Sequence, residues 1–212
     1  MRTQWNPQKE TARVSHTSTR EIRDEMSEKV REHYIGVLGL PSATHYETGA
    51  GHQFAICTWE NCDAADGLCV YATIGAFDTH SEDSSRTHMQ EYILVLSSRH
   101  RHVERSIFQF IIECTRRKIV PRFGTIYSLH DSLRLWENTD MRSYLVLSGQ
   151  DLVPDWINGS NHVLFHKLYG LFDEEIVHIK QCSLASLLDW WEDLDTPVEN
   201  PLRSTARLPY CR

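Results

Sequence analysis

The sequence predicts an α+β fold, a single domain in which a mixed, mostly antiparallel sheet is covered by helices. Three observations predict it. The apolar pattern runs helix, several strands, helix, more strands, then two short helices. The 212 residues suit one domain with a substantial core, and 41% hydrophobic with 24% charged residues is an ordinary globular composition. No internal repeat, low-complexity tract or linker-like stretch divides the chain. The expected organisation is a mobile arm over 1–17, the domain over 18–203 and a tail over 204–212.

Ser18 followed by Glu21 is a capping-box pattern, and Ile22, Met26, Val30, Tyr34 and Val37 then recur at helical spacing. A helix is expected from Thr19 to Leu38, stopped by Gly39 and Pro41. After a turn, His52 to Trp59 alternates and Leu68 to Ile74 is a second apolar run. The Asp66-Gly67 pair between them predicts an antiparallel hairpin. Phe77 to His88 is a polar loop long enough to suggest function. Glu91 to Ser97 is apolar on both faces, as a central strand should be.

Val103, Ile107, Ile111 and Cys114 form the stripe of a second long helix, from His102 to Lys118. Its last turn holds Arg116, Arg117 and Lys118, where the helix dipole favours positive charge. Gly124 to Leu129 and Tyr144 to Leu147 are short strands, and Gly149 to Ser160 connects them to a strand over Val163 to Tyr169. Asp173 is the expected N-cap of the next helix, Glu174 and Glu175 supply first-turn charge, and Ile176 and Ile179 face the sheet. Ser183 caps the last helix. Its Leu184, Leu187, Leu188, Trp191 and Leu194 make one stripe, while Asp189, Glu192, Asp193 and Asp195 take the other side.

This closing strand, the DEE-headed helix and the leucine helix, with Asn200-Pro201-Leu202-Arg203 shortly after, resemble the C-terminal signature of suppressor-of-fused domains. Tyr71-Ala72-Thr73-Ile74-Gly75, Glu91 to Leu96 and Gly124-Thr125-Ile126 match three further strands of that family in order and spacing. The resemblance covers residues 30 to 203. The chain departs from it at Ser183, where members often carry a glycine. The resemblance implies the same α+β class and an action by protein binding rather than catalysis. In animals the family regulators sequester a transcription factor, and short bacterial members look like immunity proteins that neutralise polymorphic toxins. The chain resembles the bacterial type. A regulatory adaptor that takes a peptide at a sheet edge, and a small hydrolase of unrecognised type, are the other classes considered.

Chemistry visible in the residues points the same way. His162 and His166 fall on a strand, where four residues span roughly 13 Å, too far to share an ion. His100 and His102 are surrounded by arginines, and HExxH and zinc-ribbon cysteine pairs are absent. No serine stands in GxSxG and no glycine run cradles phosphate. No enzyme activity, metal or cofactor is therefore expected. The six cysteines are scattered, which suggests reduced thiols, with a Cys62–Cys69 bridge across the hairpin as the alternative. The first ten residues lack a signal peptide's apolar core and no run is long enough to span a membrane, so the expected compartment is the cytoplasm.

The net charge of -7 is unevenly spread. Acids dominate Glu60 to Glu91 and Asp173 to Glu199, whereas bases dominate Arg99 to Arg122. This balance disfavours nucleic acid and suits a basic protein partner, such as a toxin domain. The candidate partner-binding residues are Asp78, Glu82 and Asp83 in the long loop, with Trp190, Glu192, Asp193 and Asp195 on the last helix.

Overall fold

A computed structural model describes residues 19–49, 52–76, 88–129, 134–158 and 161–205. Helix α1 spans Thr19–Leu38, and Gly39 ends it at φ 81°, with its N–H donated to the Ile35 carbonyl at 3.0 Å. Eight strands follow: β1 Ala43–Gly49, β2 His52–Cys62, β3 Leu68–Ile74, β4 His88–Leu96, β5 Ile126–Ser128, β6 Ser143–Ser148, β7 Trp156–Asn158 and β8 Asn161–Leu171. Helix α2, Val103–Arg116, lies between β4 and β5, and α3, Asp173–Gln181, and α4, Leu184–Asp193, follow β8.

The strands form one sheet in the order β1-β2-β3-β4-β8-β6-β5, with β7 paired to the start of β8. Among the described strands only β4 and β8 run parallel, Tyr92 opposite His166; the other pairings are antiparallel. The β2–β3 hairpin turns through Asp66 and Gly67, both at positive φ, with Gly67 N–H donated to the Cys62 carbonyl at 2.9 Å.

Alternation along the strands assigns each helix its place. Ala55, Cys57, Ile93, Val163 and Phe165 pack with Met26, Val30 and Tyr34 of α1. Tyr71, Tyr92, Leu94, Tyr144 and Val146, from the opposite face, pack with Ile107, Phe110 and Ile111 of α2. Further along the α1 face, Leu145 and Leu171 meet Ile176, Leu187 and Trp191 of α3 and α4.

The α1, hairpin and central-strand expectations hold, and several others are corrected. The stretch 43–49 is strand β1 rather than part of a turn. It lies at the sheet edge with His45, Tyr46 and Thr48 exposed, so it carries little apolar alternation. Within the supposed connection, 156–158 forms β7. The N-cap of α3 is Phe172, not Asp173, and the Glu175 carboxylate accepts the Phe172 N–H at 3.0 Å. Ser183 caps α4 as expected, its hydroxyl accepting the Ser186 N–H at 3.0 Å. Leu194, assigned to the core stripe, is 54% exposed because it lies one residue past the helix; Leu188 is only half-buried.

Glu91 is fully buried rather than part of an acidic surface, and its carboxylate accepts from the Thr73 hydroxyl and the Gly75 N–H. Cys57, Cys62, Cys69 and Cys114 are free and buried, so no Cys62–Cys69 bridge forms. Cys182, half-buried just past α3, is disulfide-bonded, contrary to the all-thiol expectation.

Candidate functional site

The acidic end of α4 is positioned by a buried charge pair. Glu175 and Arg203 have side chains 1% and 2% exposed, and the guanidinium donates to both carboxylate oxygens at 2.7 and 2.8 Å. The same guanidinium donates to the Gly170 carbonyl at 2.9 Å and lies 4.8 Å from the Phe172 ring centre and 5.5 Å from that of Trp191. Trp191 Nε1–H donates to Glu175 Oε1 at 3.1 Å. This charge pair therefore joins the end of β8, the start of α3, the last turn of α4 and the segment after it. Bonded through both terminal nitrogens, with Arg203 Nε alone unpartnered, the pair avoids the penalty that an unpaired buried charge would carry.

The chain after α4 folds back over the sheet. Thr196 N–H donates to the Trp191 carbonyl at 2.8 Å, and Ser97 N–H to the Glu199 carbonyl at 2.8 Å. A groove of about 350 Å³ lies between this segment, α4 and the sheet. Leu147 of β6, Tyr169 of β8, and Leu188 and Trp191 of α4 give it apolar walls, and Glu192, Asp195 and Glu199 line it with carboxylates. The Tyr169 and Trp191 rings lie 6.0 Å apart. None of the three acids is in an ion pair with a described residue. Lys167 is paired elsewhere, its ammonium bound to Asp151 at 2.5 Å, although it is close enough to feel the Glu199 charge. Burial would depress the Lys167 ammonium, but the Asp151 bond and surrounding negative charge, including Glu199, outweigh it and raise its pKa. Burial likewise pushes the Tyr169 phenol up, so it lines the groove uncharged.

Of the residues selected from sequence, Glu192 and Asp195 line the groove. Asp193 is exposed beside it without lining it, and Trp190 is half-buried among the α3–α4 apolar cluster. Asp78, Glu82 and Asp83 lie outside the described residues. Tyr169, Glu199 and Leu147 were missed. Strand parity could have placed Tyr169 on the Leu171 face, but only the fold brings Glu199 back to α4.

Two other concavities among the described residues suit a cationic group less well. One of about 490 Å³ at the start of α3 has both signs in its lining, Arg142 and Arg203 against Asp140, Asp173 and Glu174, and Arg203 is committed to Glu175. One of about 280 Å³ at the start of α2 holds Arg105 and Arg134 with Glu137, and Arg134 is paired with Asp140 at 3.0 Å. Among the described residues no three His, Cys, Asp or Glu converge as a metal site, and no helix is long and apolar enough to cross a membrane.

No family model and no curated protein matches the chain. Solved structures do. A suppressor-of-fused homologue from Neisseria gonorrhoeae superposes with a TM-score of 0.67 at 11% identity, over 88% of this chain and 100% of that one. A chain of the Sufu–Fu complex gives 0.63 at 14%, over 85% and 91%. Drosophila Suppressor of Fused gives 0.61 at 14%, over 85% of this chain but 50% of its own length. At TM-scores of 0.61 to 0.67 over more than four-fifths of its length, the chain has the suppressor-of-fused fold.

Proposed function

We propose that this chain is a non-catalytic protein-binding domain, and more narrowly an immunity protein that binds and neutralises a toxin with a basic surface. The observation that carries the reading is the acidic, aromatic groove at the end of α4, whose carboxylates form no ion pair with a described residue. The domain's partner-binding residues are then Glu192 and Asp195, with Asp193 and Trp190 at the rim; Asp78, Glu82 and Asp83 are the second candidate set. Two likenesses support the reading. One neighbour by fold is a chain of the Sufu–Fu complex, and another is a bacterial homologue matched over its whole length. Charge complementarity of this kind steers encounter and selects the partner more than it adds raw affinity.

The compartment assigned is the cytoplasm, supported by four buried free thiols and opposed by the Cys182 bond. Thiol alkylation and mass spectrometry on protein extracted from the cytoplasm decide between them. For the function, each product of the genes flanking this one is expressed in a bacterial host with and without this chain. One product should arrest growth and the chain should restore it. If no flanking product is toxic, or the chain protects against none, the immunity reading is wrong and a regulatory adaptor using the β1 edge is the next reading to test.

A further inference from the structure

We propose that the groove between α4 and the β6–β8 end of the sheet is a receptacle for one arginine side chain of a protein partner. Its guanidinium would be held by Glu192, Asp195 and Glu199, and its stem would lie on Tyr169 and Leu188. This rests on the protein-binding reading above and names the chemical group that the site recognises.

Three observations select arginine. The lining combines apolar walls with three carboxylates lacking a described ion-pair partner, which matches a side chain that is apolar along its stem and cationic at its end. The volume, about 350 Å³, suits an inserted side chain rather than a docked helix. The protein also uses this chemistry internally: Glu175, Phe172 and Trp191 hold the Arg203 guanidinium by paired carboxylate bonds and ring contact. The groove offers Trp191 again, with Tyr169 in place of Phe172 and carboxylates in place of Glu175, and no arginine of the described chain lines it. A planar guanidinium accepts two carboxylate oxygens and stacks on a ring at the same time. An ammonium does the first less well and cannot stack as a plane. The nearest competing cation, Lys167, is held by Asp151.

The test uses the full chain and three small probes: N-acetyl-arginine methylamide, its lysine counterpart and its neutral isostere, N-acetyl-citrulline methylamide. Nuclear magnetic resonance follows the indole N–H signals of Trp190 and Trp191 and the backbone amides from Glu192 to Glu199 during titration. The arginine probe should shift them saturably, and citrulline should bind at least about tenfold more weakly, with lysine between. In Glu192→Gln/Asp195→Asn/Glu199→Gln the arginine response should fall to the citrulline level. Glu192→Gln/Asp195→Asn, at two exposed positions, gives a milder variant should the triple fail to fold. Equal binding of arginine and citrulline, or a folded variant that binds arginine as the parent does, overturns the proposal. The growth assay separates this outcome from the toxin reading. A charge-neutral variant that still protects against a flanking toxin overturns the groove as its docking point. Arginine binding with no toxic neighbour keeps the groove and removes only the immunity assignment.

Discussion

At the scale of single residues, Glu175 and Arg203 show what a sequence motif can and cannot disclose. The DEE head of α3 and the Asn-Pro-Leu-Arg segment are visible as patterns 28 residues apart, but first-turn acid and tail arginine are each common enough alone to be read as surface charge. Their pairing exists only once α4 has turned the chain back. Arg203→Met should cost on the order of 3–5 kcal/mol in denaturant unfolding, since it leaves the Glu175 carboxylate buried without its cation. Glu175→Gln/Arg203→Met should lose less than Arg203→Met alone, because no charge is left buried without its partner, although the amide's single carbonyl oxygen keeps only one of the Phe172 and Trp191 bonds. A double variant less stable than the single would contradict this reading.

His166 gives a second residue-scale expectation. It is 7% exposed, stacked 5.9 Å from the Tyr92 ring, and neither ring nitrogen makes a hydrogen bond of normal geometry. Burial holds its pKa below the ordinary value, opposed but not reversed by the Leu147 backbone and the Asp155 charge. As pH falls below about 6.5, the unfolded imidazole takes a proton that the folded one refuses, so stability drops toward the lowered folded pKa; above that range the group has no effect. Between pH 7 and pH 5 the thermal midpoint should fall further for the parent than for His166→Phe. Equal falls would show that His166 is not the proton acceptor.

Elements were legible where one face is buried and strongly patterned. The α1 bounds follow from its stripe and glycine stop, the Ser18 cap lying outside the described residues, and those of α4 from Ser183 and its leucines. Edge strand β1 and the three-residue β7 were not legible, because their pairing with a neighbour, not their own composition, makes them strands. The α4 stripe was drawn too wide. Leu187 is fully buried while Leu188 forms a groove wall, so Leu187→Ala should cost about 2–5 kcal/mol and Leu188→Ala distinctly less. Equal losses would mean that α4 is rotated from the orientation described.

Gly170, in β8, makes a complementary point about packing. A Cβ there would come within 2.6 Å of Met141 Sδ and 2.9 Å of Trp136 Cη2. The Trp136 indole cannot swing away freely, because its N–H is donated to the Pro201 carbonyl at 2.7 Å. Gly170→Ala should therefore destabilise by about 1–3 kcal/mol. An unchanged unfolding midpoint would show the loop before β6 to be looser than described.

For the molecule as a whole, the α+β class and the family resemblance could be read from the order of patterned segments, which survives when identity to known structures has fallen to 11–14%. The candidate site was half legible. Acids on the solvent side of α4 could be counted along the chain, but Tyr169 and Glu199 come from a strand and a tail that only the folded sheet brings together. The same geometry changes the functional expectation from a diffuse acidic face to a groove with apolar walls and a net negative lining. Long-range attraction to a basic partner and local capture of a side chain are then separable, since only the first is screened over roughly 8 Å at physiological salt.

The most direct measurement is therefore the association rate of this chain with the basic partner proposed above, at low and high salt, for the parent and for Glu192→Lys/Asp195→Lys/Glu199→Lys. The account predicts that the parent rate falls steeply with salt. The reversed variant, with an unchanged thermal midpoint, should associate at least about tenfold more slowly at low salt and show little or opposite salt dependence. A folded variant whose rate and salt dependence match the parent's would contradict the central claim and move the binding surface elsewhere on the molecule.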